Sequence, residues 1–316
     1  MLDPQARALL DLMAARAVPP THTLSVAEAR RTYRDRRAVT QPDPPPVAQV
    51  RDGLRASGPA GDIPLRLYRG TTAPEQGAPA LVYFHGGGWV IGDLDTHDTL
   101  CRTLANEAAC VVVAVDYRMG PEHRFPGAPD DCLAAARWVH AQAGELGIDA
   151  SRIALGGDSA GGNLAAVVAL ALRDAGDAFS PVLQLLIYPA TDMRAVAPSH
   201  TLNGDGYLLT RETIAWFRGH YMGDAPLADW RASPLLHAQL GGLPPALVLT
   251  AGYDPLRDEG RQYADALSAA GTPTQYICFE RQIHGFILMG RVLDEAHTAT
   301  SLCALALRRA FAPAAA

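Results

Sequence analysis

Gly157-Asp158-Ser159-Ala160-Gly161-Gly162 follows the apolar run Arg152–Leu155 and opens an alanine-rich stretch with helical spacing from residue 160. This is G-x-S-x-G between a strand and a helix, the context that gives the motif meaning. A sharp, strained turn there presents Ser159 Oγ outward, and the flanking glycines let strand and helix backbones pass closely. The helix start also directs free N–H groups at any negative charge that develops on a bound group.

Working outward, the pattern from residue 80 onward is of buried apolar strands alternating with helices. The strands are expected at Ala80–Phe84, Val111–Val115, Arg152–Leu155, Val182–Ile187, Ala246–Thr250 and Gln275–Phe279. Helical spacing lies between and after them, at about 97–108, 128–143, 160–174, 256–270 and 293–310. Continuous Val/Ile/Leu runs joined by crossover helices indicate an α/β protein with a mostly parallel sheet covered on both faces. Ahead of this unit come two helical stretches, 4–17 and 25–38, a proline run from Pro42 to Pro46, and two strand-like runs, Ala48–Leu54 and Ile63–Tyr68. About 58 residues separate Ile187 from Ala246, too many for a plain crossover, and they carry a helix of their own at Arg211–Tyr221 behind a Thr210 cap. The division expected is residues 1–45 as helices contributing to a cap, 46–316 as the main domain, and a cap insertion at about 190–235.

Composition narrows the chemistry. The 316 residues carry 27 basic side chains, and every one is arginine. A guanidinium stays protonated, so no amine base, Schiff-base lysine or phosphate-loop lysine is available. The net charge of -6 includes no basic stripe, which argues against nucleic acid as a partner. Five cysteines lack metal-type spacing and read as core residues of a reducing compartment. No stretch resembles a membrane span, and the start lacks the features of a signal peptide, so the expectation is a cytoplasmic protein. No interface is distinguishable from ordinary surface, so the oligomeric state, a homodimer included, stays open.

A nucleophilic serine needs a base and the base an orienter. Of ten histidines only His284 lies just past the last expected strand, and Asp254 lies just past the one at Ala246–Thr250. Both therefore reach the edge where catalytic loops of a parallel sheet gather. Asp258 and Glu259 are alternatives for the acid, and capping of the next helix is an alternative role for Asp254. His85-Gly86-Gly87-Gly88-Trp89 ends the strand Ala80–Phe84, 74 residues before Ser159. Glycines there let backbone N–H groups approach a substrate carbonyl, so Gly86, Gly87 and Gly88 are expected to donate to an oxyanion alongside Ala160. His85 reads as a structural group rather than a base, and Trp89 as a pocket wall or a core residue.

These motifs, with Asp254-Pro255-Leu256-Arg257-Asp258-Glu259-Gly260, His284-Gly285-Phe286, Tyr117-Arg118, Pro121-Glu122 and Phe125-Pro126, resemble the hormone-sensitive-lipase-like family of α/β-hydrolases, bacterial carboxylesterases among them. The likeness spans about residues 45–312. It implies an α/β-hydrolase fold with an eight-stranded sheet and a helical cap, no cofactor, and a small-molecule ester of short to medium acyl chain as substrate; for want of an HExxH or similar ligand pair no metal is expected either. It also implies Ser159, His284 and Asp254 as the triad and Asp158 and Glu122 as buried polar supports near the elbow, with an ordinary turn or ion-pair role as the alternative for the last two. Candidate pocket residues are Trp89, Asp158, Tyr188, Tyr207, Leu208, Trp216, Phe217 and Phe286, with packing between cap and core as the other explanation. An amidase or arylformamidase, or a receptor on the same fold, are the competing readings. With imidazole as the base, activity should fall as the pH drops below the ordinary imidazole range, roughly 6 to 7. A pH–rate profile that stayed flat down to about pH 4 would count against it.

Overall fold

Apolar residues on both faces of a strand must be covered from both sides, and the computed structural model, which describes residues 1–312, is built on that requirement. Two helices, α1 (Pro4–Ala15) and α2 (Val26–Thr40), open the chain; a capping box between Ser25 and Glu28 starts the second. An antiparallel hairpin of β1 (Gln49–Gly58) and β2 (Gly61–Arg69) follows. Then come β3 (Ala78–Phe84), α3 (Asp98–Glu107), β4 (Val111–Val115), α4 (Gly127–Ala141), β5 (Ile148–Asp158) and α5 (Ala160–Asp174). After β6 (Gln184–Ile187) the long connection holds α6 (Ser199–Leu202) and α7 (Arg211–Met222). The chain closes with β7 (Ala246–Tyr253), α8 (Arg257–Ala269), β8 (Thr274–Ile283) and α9 (Glu295–Phe311).

The eight strands form one sheet in the order β1-β2-β4-β3-β5-β6-β7-β8, parallel from β4 onward. Along β3, Ala80, Val82 and Phe84 enter one core, which also takes the apolar faces of α4, α5 and α8. Leu81 and Tyr83 enter the other, shared with α1, α3 and α9. No helix among the described residues is long and apolar enough to cross a membrane.

Two strands run longer than their apolar cores suggest. β5 is carried from Leu155 through Asp158 by pairing with β6, and β8 continues through Glu280-Arg281-Gln282 to Ile283 after a register shift opposite Ala251 and Tyr253. In both, ladder hydrogen bonds extend a strand through residues whose side chains give no strand signal.

Where β5 turns into α5 the backbones are in close contact. A Cβ added at Gly161 would lie 1.8 Å from the Phe84 carbonyl oxygen, and one at Gly157 would lie 2.3 Å from it. Neither neighbour is a flexible side-chain end, so the turn and β3 would have to separate. Gly161→Ala is expected to lower the unfolding free energy by about 3 kcal/mol. Gly219→Ala, on α7 with open space around it, should instead add roughly 0.5–1 kcal/mol. Urea titration of both variants measures the contrast.

Candidate active site

Ser159 sits at the tip of that turn with φ 55° and ψ −116°, a region that non-glycine residues rarely occupy. Its own amide donates to the Ile187 carbonyl at 2.8 Å, and its carbonyl accepts from the Asn163 amide at 3.0 Å. Sheet and helix therefore hold the strained residue from both sides.

His284 follows the last residue of β8, and its Nε2 lies 2.9 Å from Ser159 Oγ. Its Nδ1 lies 2.6 Å from Asp254 Oδ2. A carboxylate oxygen accepts, so the ring proton belongs on Nδ1, which leaves the Nε2 lone pair facing the serine hydroxyl. Asp254 is fully buried, and its second oxygen accepts from the Leu256 amide at 2.8 Å. Below the imidazole, the ring of Tyr188 packs 4.6 Å from it, centroid to centroid.

The alternative acids are committed elsewhere. Asp258 pairs with Arg257. Glu259 is buried, accepts from the Thr191 and Asp192 amides, and contacts His200 Nε2 at 2.6 Å; burial pushes its carboxyl up against the pull of His200. Sequence reasoning missed what surrounds Asp254. Asn203 Nδ2 donates to the carbonyls of Gly252 and Asp254, each at 3.1 Å, and Ser199 Oγ donates to Pro255 O at 2.6 Å. The four-residue α6 thus ties the acid loop to the long connection, and a helix that short leaves no periodic signal to read.

The glycine loop has a division of labour. Gly86 N–H donates to Asp158 Oδ1 at 2.9 Å, so it is engaged within the protein. The amides of Gly87, Gly88 and Ala160 have no protein acceptor among the bonds of the described residues. Gly88 (φ +59°) also lies under the Phe217 ring, which a Cβ there would meet at 2.3 Å. His85 stacks on Tyr117 at 4.4 Å, and burial, then the neighbouring His97, lowers its pKa to about 4, so it stays neutral.

A cavity of about 790 Å³ opens on Ser159 and His284. Trp89, Asp158, Tyr207, Leu208 and Phe217 line it, together with residues of α1 and α2. Trp89 serves the core as well, stacked on Tyr221 with ring planes 4° apart. Tyr188, Trp216 and Phe286 are not among the lining residues. Tyr188 is buried beneath His284, Phe286 packs against Tyr188 and Phe279, and Trp216 wedges against Phe217 and His220 beside the cluster of Ala29, Val90 and Ile91. Glu122, expected to be buried, is half exposed and forms a forked pair with Arg30 of α2. Arg30 also donates to the Val90 and Gly120 carbonyls, so the pair fastens α2 to the glycine loop.

This sheet and the serine–imidazole–carboxylate line across its edge define the class, an α/β-hydrolase with a serine at the nucleophile position. The family described as alpha/beta hydrolase fold matches residues 81–288. A carboxylic ester hydrolase of Mycobacterium tuberculosis, LipN, is 46% identical over 285 residues, covering 88% of this chain and 70% of its own. Ethyl acetate hydrolase of Pseudomonas putida is 41% identical over 93% of this chain and 95% of its own. An ester hydrolase from the metagenome of Lake Arreo, solved with a bipyridine phosphonate derivative, superposes with a TM-score of 0.95 at 46% identity, over 98% of this chain and 99% of that one. The chain belongs to the hormone-sensitive-lipase-like α/β-hydrolase family and is a carboxylic ester hydrolase.

Asp158 is the buried link between elbow and glycine loop, accepting from Tyr83 Oη at 2.8 Å and Gly86 N at 2.9 Å, with His97 Nε2 at 3.1 Å. Burial works to raise its pKa but is outweighed by His97 and these hydrogen bonds, and the net direction is down. A depressed carboxyl contributes stability that is present above the ordinary carboxylate range and lost as pH falls through the folded value. Asp158→Asn is therefore expected to cost about 3 kcal/mol near neutral pH. Denaturant titrations at decreasing pH should show that deficit shrinking below about pH 4. A deficit independent of pH would refute this account of Asp158.

Proposed function

We propose that the chain hydrolyses short- to medium-chain acyl esters through a covalent acyl-enzyme on Ser159. The observation that carries this reading is the unbroken hydrogen-bonded line from Ser159 Oγ through His284 to Asp254. As Oγ attacks the ester carbonyl carbon, its proton passes to His284 Nε2, and Asp254 holds the ring orientation and steadies the imidazolium. The carbonyl oxygen becomes an oxyanion that accepts from the amides of Gly87, Gly88 and Ala160, while Gly86 keeps the loop in place through Asp158. His284 then returns the proton to the leaving alcohol oxygen as the C–O bond breaks. Water, deprotonated by the same nitrogen, attacks the acyl carbon and frees the acid and Ser159.

The acyl-length range draws support from the size of the cavity and from the likeness to a relative named for ethyl acetate. Residues 1–45 and the insertion at about 190–235 act as the cap, a role supported by the lining that α1, α2 and residues 206–218 provide. The five free cysteines, four of them buried, support a reducing compartment such as the cytoplasm.

A series of p-nitrophenyl esters from acetate to palmitate tests the reading. The wild type should favour the short and middle members, and Ser159→Ala should lose at least about 10⁴-fold in kcat. A Ser159→Ala, His284→Ala double variant should be scarcely slower than either single one, because the two side chains act as a unit. Equal hydrolysis by wild type and Ser159→Ala would sink the proposal.

A further inference from the structure

Ester hydrolysis makes no use of the charge that lines the cavity above Ser159. Arg16, Arg36, Arg37 and Arg218 all face it. None of the four has a carboxylate within ion-pair distance among the described residues, whereas most arginines elsewhere do. Four carboxylates line the same cavity, but three are already matched: Asp158 by His97, Asp192 by Arg194 and Glu259 by His200. The fourth, Asp35, is exposed. The unmatched charge on the cavity wall is therefore predominantly positive.

Arg36 and Arg218 are the two of these arginines that are only partly exposed. The Arg36 guanidinium lies over the Tyr33 ring, 5.4 Å from its centroid, and its side chain makes no hydrogen bond in the described structure. Burial lowers its pKa. Arg218 donates one N–H to the Met193 carbonyl at 3.2 Å, and its remaining donors are unassigned. A guanidinium drawn partly out of water with few protein acceptors gains charge-assisted hydrogen bonds when an anion fills its fork.

We propose that the cavity selects esters that also carry a carboxylate remote from the scissile bond, received by Arg36 of α2 and Arg218 of α7. The chemical class is half-esters of dicarboxylic acids or esters of hydroxy acids. Arginine suits this role because its planar fork matches a carboxylate in two parallel hydrogen bonds. The inference rests on the ester-hydrolase reading above; the bonds made and broken are the same, with water adding across the acyl C–O bond.

The test compares kcat/KM for matched pairs in a pH-stat: monomethyl adipate against methyl heptanoate for the acyl side, and the acetate of a hydroxyhexanoate against hexyl acetate for the alcohol side. For at least one pair the wild type should take the anionic ester as well as or better than the neutral one, mainly through a lower KM. Arg36→Gln should cut that anionic-to-neutral ratio about tenfold, the worth of one charge-assisted contact of about 1.4 kcal/mol. Arg218→Gln should lower it in the same direction, and about 0.5 M salt should narrow the wild-type preference. Arg36→Glu should move selectivity toward the methyl ester of an aminohexanoate. Since each value is a ratio within one preparation, partial misfolding of a variant cancels. Neutral-ester hydrolysis that depends on Ser159, together with a ratio unmoved by both glutamine variants or a wild-type bias of more than about tenfold against both anions, overturns the anion site and leaves the esterase reading standing. Failure to hydrolyse any of the four esters overturns both.

Discussion

Everything at the active edge depends on one backbone contact, the end of β3 pressed against the turn between β5 and α5. There is no room for a Cβ between the Phe84 carbonyl and Gly157 or Gly161, and the closeness of that approach holds Ser159 at its positive φ. The same contact places the glycine loop, which continues from Phe84, beside the N-terminus of α5. Ser159 and the glycine-loop amides are thus positioned by one packing decision, and Asp158 ties the two strands together with a buried carboxylate that contacts Tyr83, Gly86 and His97. Strain at a functional residue persists only where its surroundings over-determine it.

The imidazole and its acid arrive by a different route. β7 and β8 are adjacent and parallel, so residues just beyond their ends emerge side by side. That alone would leave two mobile loops. The segment after β6 supplies the missing restraint through Ser199 and Asn203, which hold the backbone on either side of Asp254, while Tyr188 supports the imidazole from below. A stretch that reads as an insertion is in this respect part of the framework that aligns Asp254 with His284 and Ser159.

Much of this was legible in the sequence because its causes are local. Fully buried parallel strands write continuous apolar runs, a nucleophile turn needs small residues at fixed offsets, and residues past strand ends share an edge whatever their neighbours. What stayed hidden depends on groups far apart in the chain. Gly86 looks like an oxyanion donor until the carboxylate 72 residues away is seen to occupy its N–H. Tyr188, Trp216 and Phe286 look like pocket aromatics, but position in a motif does not say which face a ring takes, and packing against His284, Phe217 and Phe279 takes them out of the cavity wall. Glu122 looks like a buried support because the partner that draws it outward, Arg30, belongs to a helix that precedes the sheet.

The ring of Phe217 over Gly88 has a consequence for how this enzyme could diverge. Position 88 is closed to side chains twice, once by its left-handed backbone and once by the aromatic ring above it. The first barrier is modest, about 1 kcal/mol for a small residue, whereas the second is a hard overlap that lasts as long as Phe217 does. Replacing the phenylalanine with something smaller would therefore enlarge the cavity and also relieve the overlap that a side chain at 88 meets, leaving only the backbone barrier there. The two positions are therefore coupled: which side chain 88 can carry depends on what stands at 217, and a side chain settled at 88 would in turn limit the ring above it.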